Sequence, residues 1–115
     1  IALSYIGGEK AVKNYNVMGV AKSALESSIR YLAADLGPKN IRANAISAGP
    51  MRTLAARGLK DFAVMYEGMK EKAPLKRNIT TTEVGDTATF LCSELASGIT
   101  GEILHVDAGY HAVGV

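Results

Sequence analysis

The strongest constraint on this chain is the alternation of short apolar runs with helix-length amphipathic stretches. Three runs have the length and character of buried strands: the opening "IALSYIGG", "IRANAIS" at residues 41–47, and "EILHV" at residues 102–106. Between the first two, Met18, Ala21, Leu25, Ile29, Leu32 and Leu36 recur every three or four residues. That period predicts a helix capped by Asn14 or Asn16 and reaching about Leu36, with this stripe turned inward. Gly37-Pro38 should end it, the glycine by a left-handed turn and the proline by blocking continuation. Between the second and third runs, Leu54, Ala55, Leu59, Phe62, Met65 and Met69 predict one or two short helices over residues 54–72, interrupted around Gly58 and closed near Pro74. Thr80 and Glu83 have the spacing of a capping box, and Val84, Ala88, Leu91, Cys92 and Leu95 mark the apolar face of the helix after it. Cys92 is expected to be buried there.

Strands and helices that alternate through short connections predict an α/β fold with a parallel sheet and helices on its faces, a three-layer αβα arrangement. Three strands and two long helices supply about half of a doubly wound domain. The glycine-rich turn that holds a pyrophosphate in such domains follows their first strand, and no GxGxxG occurs here. Residues 1–115 are therefore expected to be the C-terminal half of a single domain whose N-terminal, dinucleotide-binding half is absent from this chain. The opening residue, isoleucine in a strand-like run, fits a fragment.

Composition excludes several classes of function. Thirteen lysines and arginines stand against eleven acidic residues, scattered without interleaved aromatics, which argues against nucleic-acid binding. The lone Cys92 has no partner for an internal disulfide, and no leader or long apolar run suggests secretion or a membrane span, so a cytoplasmic location is expected. His105 and His111 lie far in sequence from any Cys, Asp or Glu cluster; no metal is expected, and both are assigned structural roles.

The residues able to carry chemistry gather near the predicted strand ends. Tyr15 and Lys22 are seven positions apart, about 20° apart around a helix and roughly 10 Å apart along it, so both can face one ligand without touching. A fixed ammonium favours the ionised form of a phenol, which would make Tyr15 a better proton donor to an oxygen gaining charge. The spacing alone is weak evidence, since a tyrosine and a lysine this far apart are more often a structural pair. Tyr5 sits where the opening strand ends, and ligands of open parallel sheets gather outside the carboxyl ends of strands. By the same rule "SAGPMRT", residues 47–53, forms a loop that can meet a polar cofactor edge.

The run "SYIGGEKAVKNYNVMGVAKSALESSIRYLAADLGPKNIRANAISAGPMRT", continued by "APLKRNITTTEVGDTATFLCSELASGITGEILHVDAGYH", resembles the bacterial enoyl-acyl-carrier-protein reductases of the short-chain dehydrogenase/reductase superfamily over essentially the whole chain. Classical members of that superfamily place three residues between tyrosine and lysine. This subfamily places six, as here, with another tyrosine ten positions before the first. The resemblance implies a Rossmann-like domain in which Tyr5, Tyr15 and Lys22 are catalytic. Tyr15 would bond the substrate thioester oxygen and Lys22 the nicotinamide ribose. Met51, Arg52, Thr53, Leu54 and Ala55 would join Lys22 in binding the cofactor, NAD(H) ahead of NADP(H). The substrate would meet Tyr5, Tyr15, Met18, Leu59, Phe62 and Met65, with residues 54–72 as the substrate-binding helical segment.

The implied reaction is reduction of trans-2-enoyl-acyl-carrier-protein thioesters in type II fatty-acid synthesis. The implied partners are the acyl carrier protein, three further copies in a homotetramer, and the N-terminal half of the same enzyme, without which the 115-residue chain is expected to be inactive. A ketone-reducing relative, disfavoured by the six-residue gap, and a truncated chain with a purely structural role are the alternatives. Arg57 and Lys60 flank the expected pocket mouth, and Lys60 is a candidate for steering the acidic carrier protein.

Overall fold

The computed structural model describes residues 1–58 and 60–113, with Arg57 represented by its backbone alone. Strand β1 spans Ala2–Ser4, helix α1 Asn16–Leu36, strand β2 Ala45–Ala48, helix α2 Phe62–Lys72, helix α3 Thr81–Cys92 and strand β3 Ile103–Val106. The strands form one sheet in the order β1-β2-β3, both pairs parallel, with Leu3 opposite Ile46 and Ile46 opposite Leu104. All four residues of β2 are buried, as expected of a central strand covered on both faces. The larger core cluster joins Ile46 and Ala48 of β2 to Val84 and Leu91 of α3, with Ala73, Ile79, Ala96 and Ala108 around them. Burying a side chain such as Ile46 or Leu91 contributes about 1.5–3 kcal/mol.

The capping box forms as its spacing predicts. The Thr80 hydroxyl accepts from the Glu83 N–H at 3.2 Å, and the Thr80 N–H donates to Glu83 Oε2 at 2.8 Å. Arg77 grips the same carboxylate through both guanidinium nitrogens, at 2.6 and 3.0 Å. The Arg77 bonds, followed by the Thr80 backbone bond, draw the Glu83 carboxyl down from 4.5 to about 2.

Several local expectations are overturned. Neither Asn14 nor Asn16 caps α1: Tyr15 occupies the cap position without a side-chain bond. Asn14 instead takes a left-handed conformation, φ 63°, and donates to Asp61 at 3.1 Å. Gly37 is right-handed, so the chain continues into a short turn over Gly37–Lys39, and the left-handed residue is Asn40 at φ 58°. The inward stripe of α1 is Gly19, Glu26, Ile29 and Ala33, while Met18 and Leu32 are 46% and 45% exposed. Gly19 belongs to that face because the turn after β1 lies directly on the helix there: an added Cβ would stand 2.7 Å from the Gly7 carbonyl oxygen.

Residues 41–44 precede β2 rather than belonging to it. Side chains tie this lead-in down, the Arg42 guanidinium donating to the Ile99 and Ser93 carbonyls and the Asn44 amide to Ile99 while its oxygen accepts from the Glu102 N–H. Cys92, at the last turn of α3, is exposed, contrary to expectation, and Leu95 lies beyond the helix at 84% exposure; the neighbouring Leu91 is the residue of that turn that enters the core. No helix among the described residues is long and apolar enough to cross a membrane.

Candidate active site

The chain leaves β1 at Ser4 and turns sharply over Ile6–Gly8 before reaching α1. That turn places Tyr5 against Tyr15 at the start of the helix, their rings edge to face with centroids 5.0 Å apart. Lys22 lies seven residues further along α1 and donates to the Leu3 carbonyl at 2.7 Å. The loop after β2 supplies the opposite wall, and α2 the far side. Together they enclose a cavity of about 410 Å³ lined by Tyr5, Tyr15, Met18, Lys22, Met51, Thr53, Ala55, Phe62 and Met65. Its position, outside the carboxyl ends of β1 and β2, is where parallel sheets hold ligands. Its size and its apolar walls with a few polar groups suit a small-molecule site.

The two phenols are held neutral. Tyr5 is 9% exposed, and its hydroxyl reaches the sulfurs of Met65 and Met69 at 3.3 and 3.4 Å. Burial first, then the neighbouring Tyr110 and Tyr15, push its pKa up to about 12. Burial also raises Tyr15 above the usual phenol value. In this structure burial is the influence on Tyr15, and the Lys22 ammonium is engaged by the Leu3 carbonyl rather than by the phenol. Tyr15 is suited to donate a hydrogen bond without giving up its proton.

Two of the expected cofactor contacts stand outside this cavity. Arg52 lies over the Tyr66 ring, 5.0 Å from its centroid, and Leu54 is 83% exposed. Leu59 lies outside the described residues. Lys60 is exposed. The cavity also draws on Leu3, Ser4, Ala48, Gly49, Pro50 and Ala56, small or backbone contributors that sequence reasoning did not single out, although the strand-end rule had pointed to the 47–53 loop. Glu26, buried one helical turn beyond Lys22, escaped notice entirely. A carboxylate on the inner stripe of an amphipathic helix was the available signal.

A cofactor fits part of this site. The Lys22 ammonium at the strand end and the loop residues Gly49, Pro50, Met51 and Thr53 line this cavity, where they could meet the ribose and the ring of a cofactor. No glycine-rich phosphate turn is present in the sequence to hold the rest of a dinucleotide. Among the described residues no group of three or more His, Cys, Asp or Glu is placed to hold a metal ion. His105 and His111 stack with ring centroids 4.0 Å apart, the first bonded to Glu9 at 2.8 Å and the second to Asp107 at 2.9 Å.

Residues 1–111 match the protein-family profile described as Enoyl-(Acyl carrier protein) reductase. Among curated relatives, the Staphylococcus aureus (strain MRSA252) enoyl-[acyl-carrier-protein] reductase [NADPH] FabI is 59% identical over 113 residues, covering 98% of this chain and 44% of that protein. The Bacillus cereus enoyl-[acyl-carrier-protein] reductase [NADH] FabI is 60% identical over 114 residues, covering 99% and 44%. Among solved structures, the Bacillus cereus enoyl-acyl carrier protein reductase with NADP+ and indole naphthyridinone superposes with a TM-score of 0.95 at 61% identity, again over 98% of this chain and 44% of the other. The chain thus spans less than half the length of the relatives it matches.

Proposed function

Because the chain belongs to the enoyl-(acyl carrier protein) reductase family, we propose that it forms the substrate-side part of an enzyme reducing trans-2-enoyl-acyl-carrier-protein thioesters in fatty-acid synthesis. The observation that carries this reading is the convergence of Tyr5, Tyr15 and Lys22 on one cavity at the ends of adjacent parallel strands. In this reading residues 1–115 are the C-terminal part of a Rossmann-like domain, and a dinucleotide-binding half outside this chain completes it. The assembled enzyme is a cytoplasmic homotetramer.

When bound, a reduced nicotinamide supplies the hydride that adds to the β-carbon of the enoyl thioester. The residues of this chain manage the negative charge that then appears on the thioester oxygen. Tyr15, a neutral phenol at ordinary pH whose burial makes ionisation harder still, donates a hydrogen bond to that oxygen, and the bond strengthens as charge develops. A proton taken up from water at the α-carbon completes the saturated product. Tyr5 packs against Tyr15 and holds its ring at the pocket edge. Lys22 keeps one ammonium proton on Leu3 and has two left for the ribose hydroxyls. Met51, Thr53 and Ala55 line the nicotinamide side, with Arg52 and Leu54 in the same segment. Met18, Phe62 and Met65, with Leu59, form the acyl side.

Relatives named for NADH and for NADPH match this chain at nearly equal identity. A nicotinamide dinucleotide is the cofactor class, with NADH our reading of the two. The test is coenzyme oxidation by the whole reductase, followed by absorbance, with a crotonyl thioester and with a ketone of similar size. Turnover of the thioester alone supports the reading. Turnover of the ketone alone, or of neither, rejects it.

A further inference from the structure

The meeting of Tyr5 and Tyr15 depends on how β1 is seated against α1, and two side chains one helical turn apart do the seating. Lys22 holds the Leu3 carbonyl. Glu26, four residues on, accepts the hydroxyl of Ser4, the last residue of β1. Ser4 and Glu26 are each 5% exposed, and among the described residues no cation lies within ion-pair distance of Glu26. A carboxylate kept out of water without a charged partner is a costly way to hold two elements together, and a purely structural contact would serve as well with apolar groups.

The turn that follows is built around this carboxylate. A Cβ at Gly8 would stand 2.7 Å from Glu26 Oε1, and a Cβ at Gly19 would stand 2.7 Å from the Gly7 carbonyl oxygen. Ser23 donates to the Gly8 carbonyl at 2.5 Å. The turn carrying the chain from Tyr5 toward Tyr15 is therefore pressed onto α1 from Gly19 to Glu26.

We infer that Glu26 is a positioning residue for the reduction: through Ser4 it fixes the end of β1, and with it the Tyr5 ring and the Leu3 carbonyl that engages Lys22, relative to Tyr15 on the same helix. This rests on the enoyl-reductase reading. Glu26 touches no substrate in this account; it acts through Ser4.

The test uses the whole reductase with its dinucleotide-binding half, assayed well below its thermal midpoint. Ser4→Ala, which leaves every atom of α1 in place, should lower kcat for an enoyl thioester about tenfold while KM for the reduced coenzyme moves less than about twofold. Glu26→Gln, whose amide oxygen still accepts the Ser4 hydroxyl, should stay within about twofold of wild type, whereas Glu26→Leu should match Ser4→Ala. The Ser4→Ala/Glu26→Leu double variant should lose no more than either single one.

Unchanged kcat in Ser4→Ala, with only the thermal midpoint lowered, would make the pair structural and overturn the inference. If Glu26→Leu does not fold, Ser4→Ala alone decides. If wild type reduces no enoyl thioester, the reading of the reaction falls instead. The alkaline titration of Tyr5 then still reports the position of the strand end: a lowered pKa in Ser4→Ala supports the tie, and an unmoved one refutes it.

Discussion

A single methyl group added at Gly19 tests how closely the turn after β1 is seated on α1. In an open helix interior, glycine to alanine stabilises by about 1 kcal/mol, because alanine has less backbone freedom to lose on folding. At Gly19 the new Cβ would stand 2.7 Å from the Gly7 carbonyl oxygen, well inside contact distance. That oxygen belongs to the backbone of a turn held by the Gly8 N–H bond to Tyr5 at 2.8 Å and by the Ser23 hydroxyl on Gly8. It cannot swing aside, so helix and turn must part by several tenths of an ångström. Overpacking of this kind costs about 1–3 kcal/mol, leaving a net loss of about 0–2 kcal/mol after the helix-propensity gain. Gly85, inside α3 with no atom within 4 Å of its added Cβ, is the control, where the same substitution should stabilise by about 1 kcal/mol. Urea unfolding of the two variants in the whole reductase should separate them by about 1–3 kcal/mol. Gly19→Ala should also lower kcat, since the 5.0 Å ring contact of Tyr5 and Tyr15 spans the interface that opens. Equal stabilisation by both substitutions would refute the close-contact reasoning.

The folded Glu83 carboxyl titrates at about 2 against an ordinary 4.5, so its stabilising contribution is whole above pH 4.5 and is lost as pH falls toward about 2. Glu83→Gln retains a capping box without the charge, and the stability gap between it and wild type should close across that window; a gap independent of pH would contradict the assignment. Lys22→Ala should raise the Kd for reduced coenzyme about tenfold or more, read by fluorescence titration, and an unchanged Kd would remove Lys22 from the cofactor site. Lys60→Glu should lower kcat/KM several-fold with a carrier-bound enoyl substrate and leave a short soluble thioester unaffected, while equal effects on both would end its steering role.

The layout of strands and helices was legible because hydrophobic period and capping chemistry act locally. The Thr80–Glu83 box and the strand positions of residues 2–4 and 103–106 follow from neighbours in sequence. The inner face of α1 was legible only in part: the apolar period placed Ile29 there but also favoured Met18 and Leu32, while the turn after β1 is seated on Gly19 and Glu26. Its cap was missed for a similar reason: Asn14 spends its side chain on Asp61, 47 residues away. In the site, strand ends and helix geometry could bring Tyr5, Tyr15 and Lys22 toward one side of the sheet, and the structure has them lining one cavity. The upward direction of the phenol pKa shifts could not be read, because the burial behind it comes from packing between distant segments, seen for Tyr5 in its contacts with Met65, Met69 and Tyr110.

In the proposed reaction Tyr15 is a neutral donor to oxygen charge that develops only in the transition state. Steady-state kinetics of Tyr15→Phe in the whole reductase, with an enoyl thioester and saturating reduced coenzyme, tests it most directly. kcat should fall about 100-fold, the scale of losing one such donor, with the Kd for coenzyme and the thermal midpoint nearly unchanged. A Tyr15→Phe enzyme that turns over at the wild-type rate would contradict it.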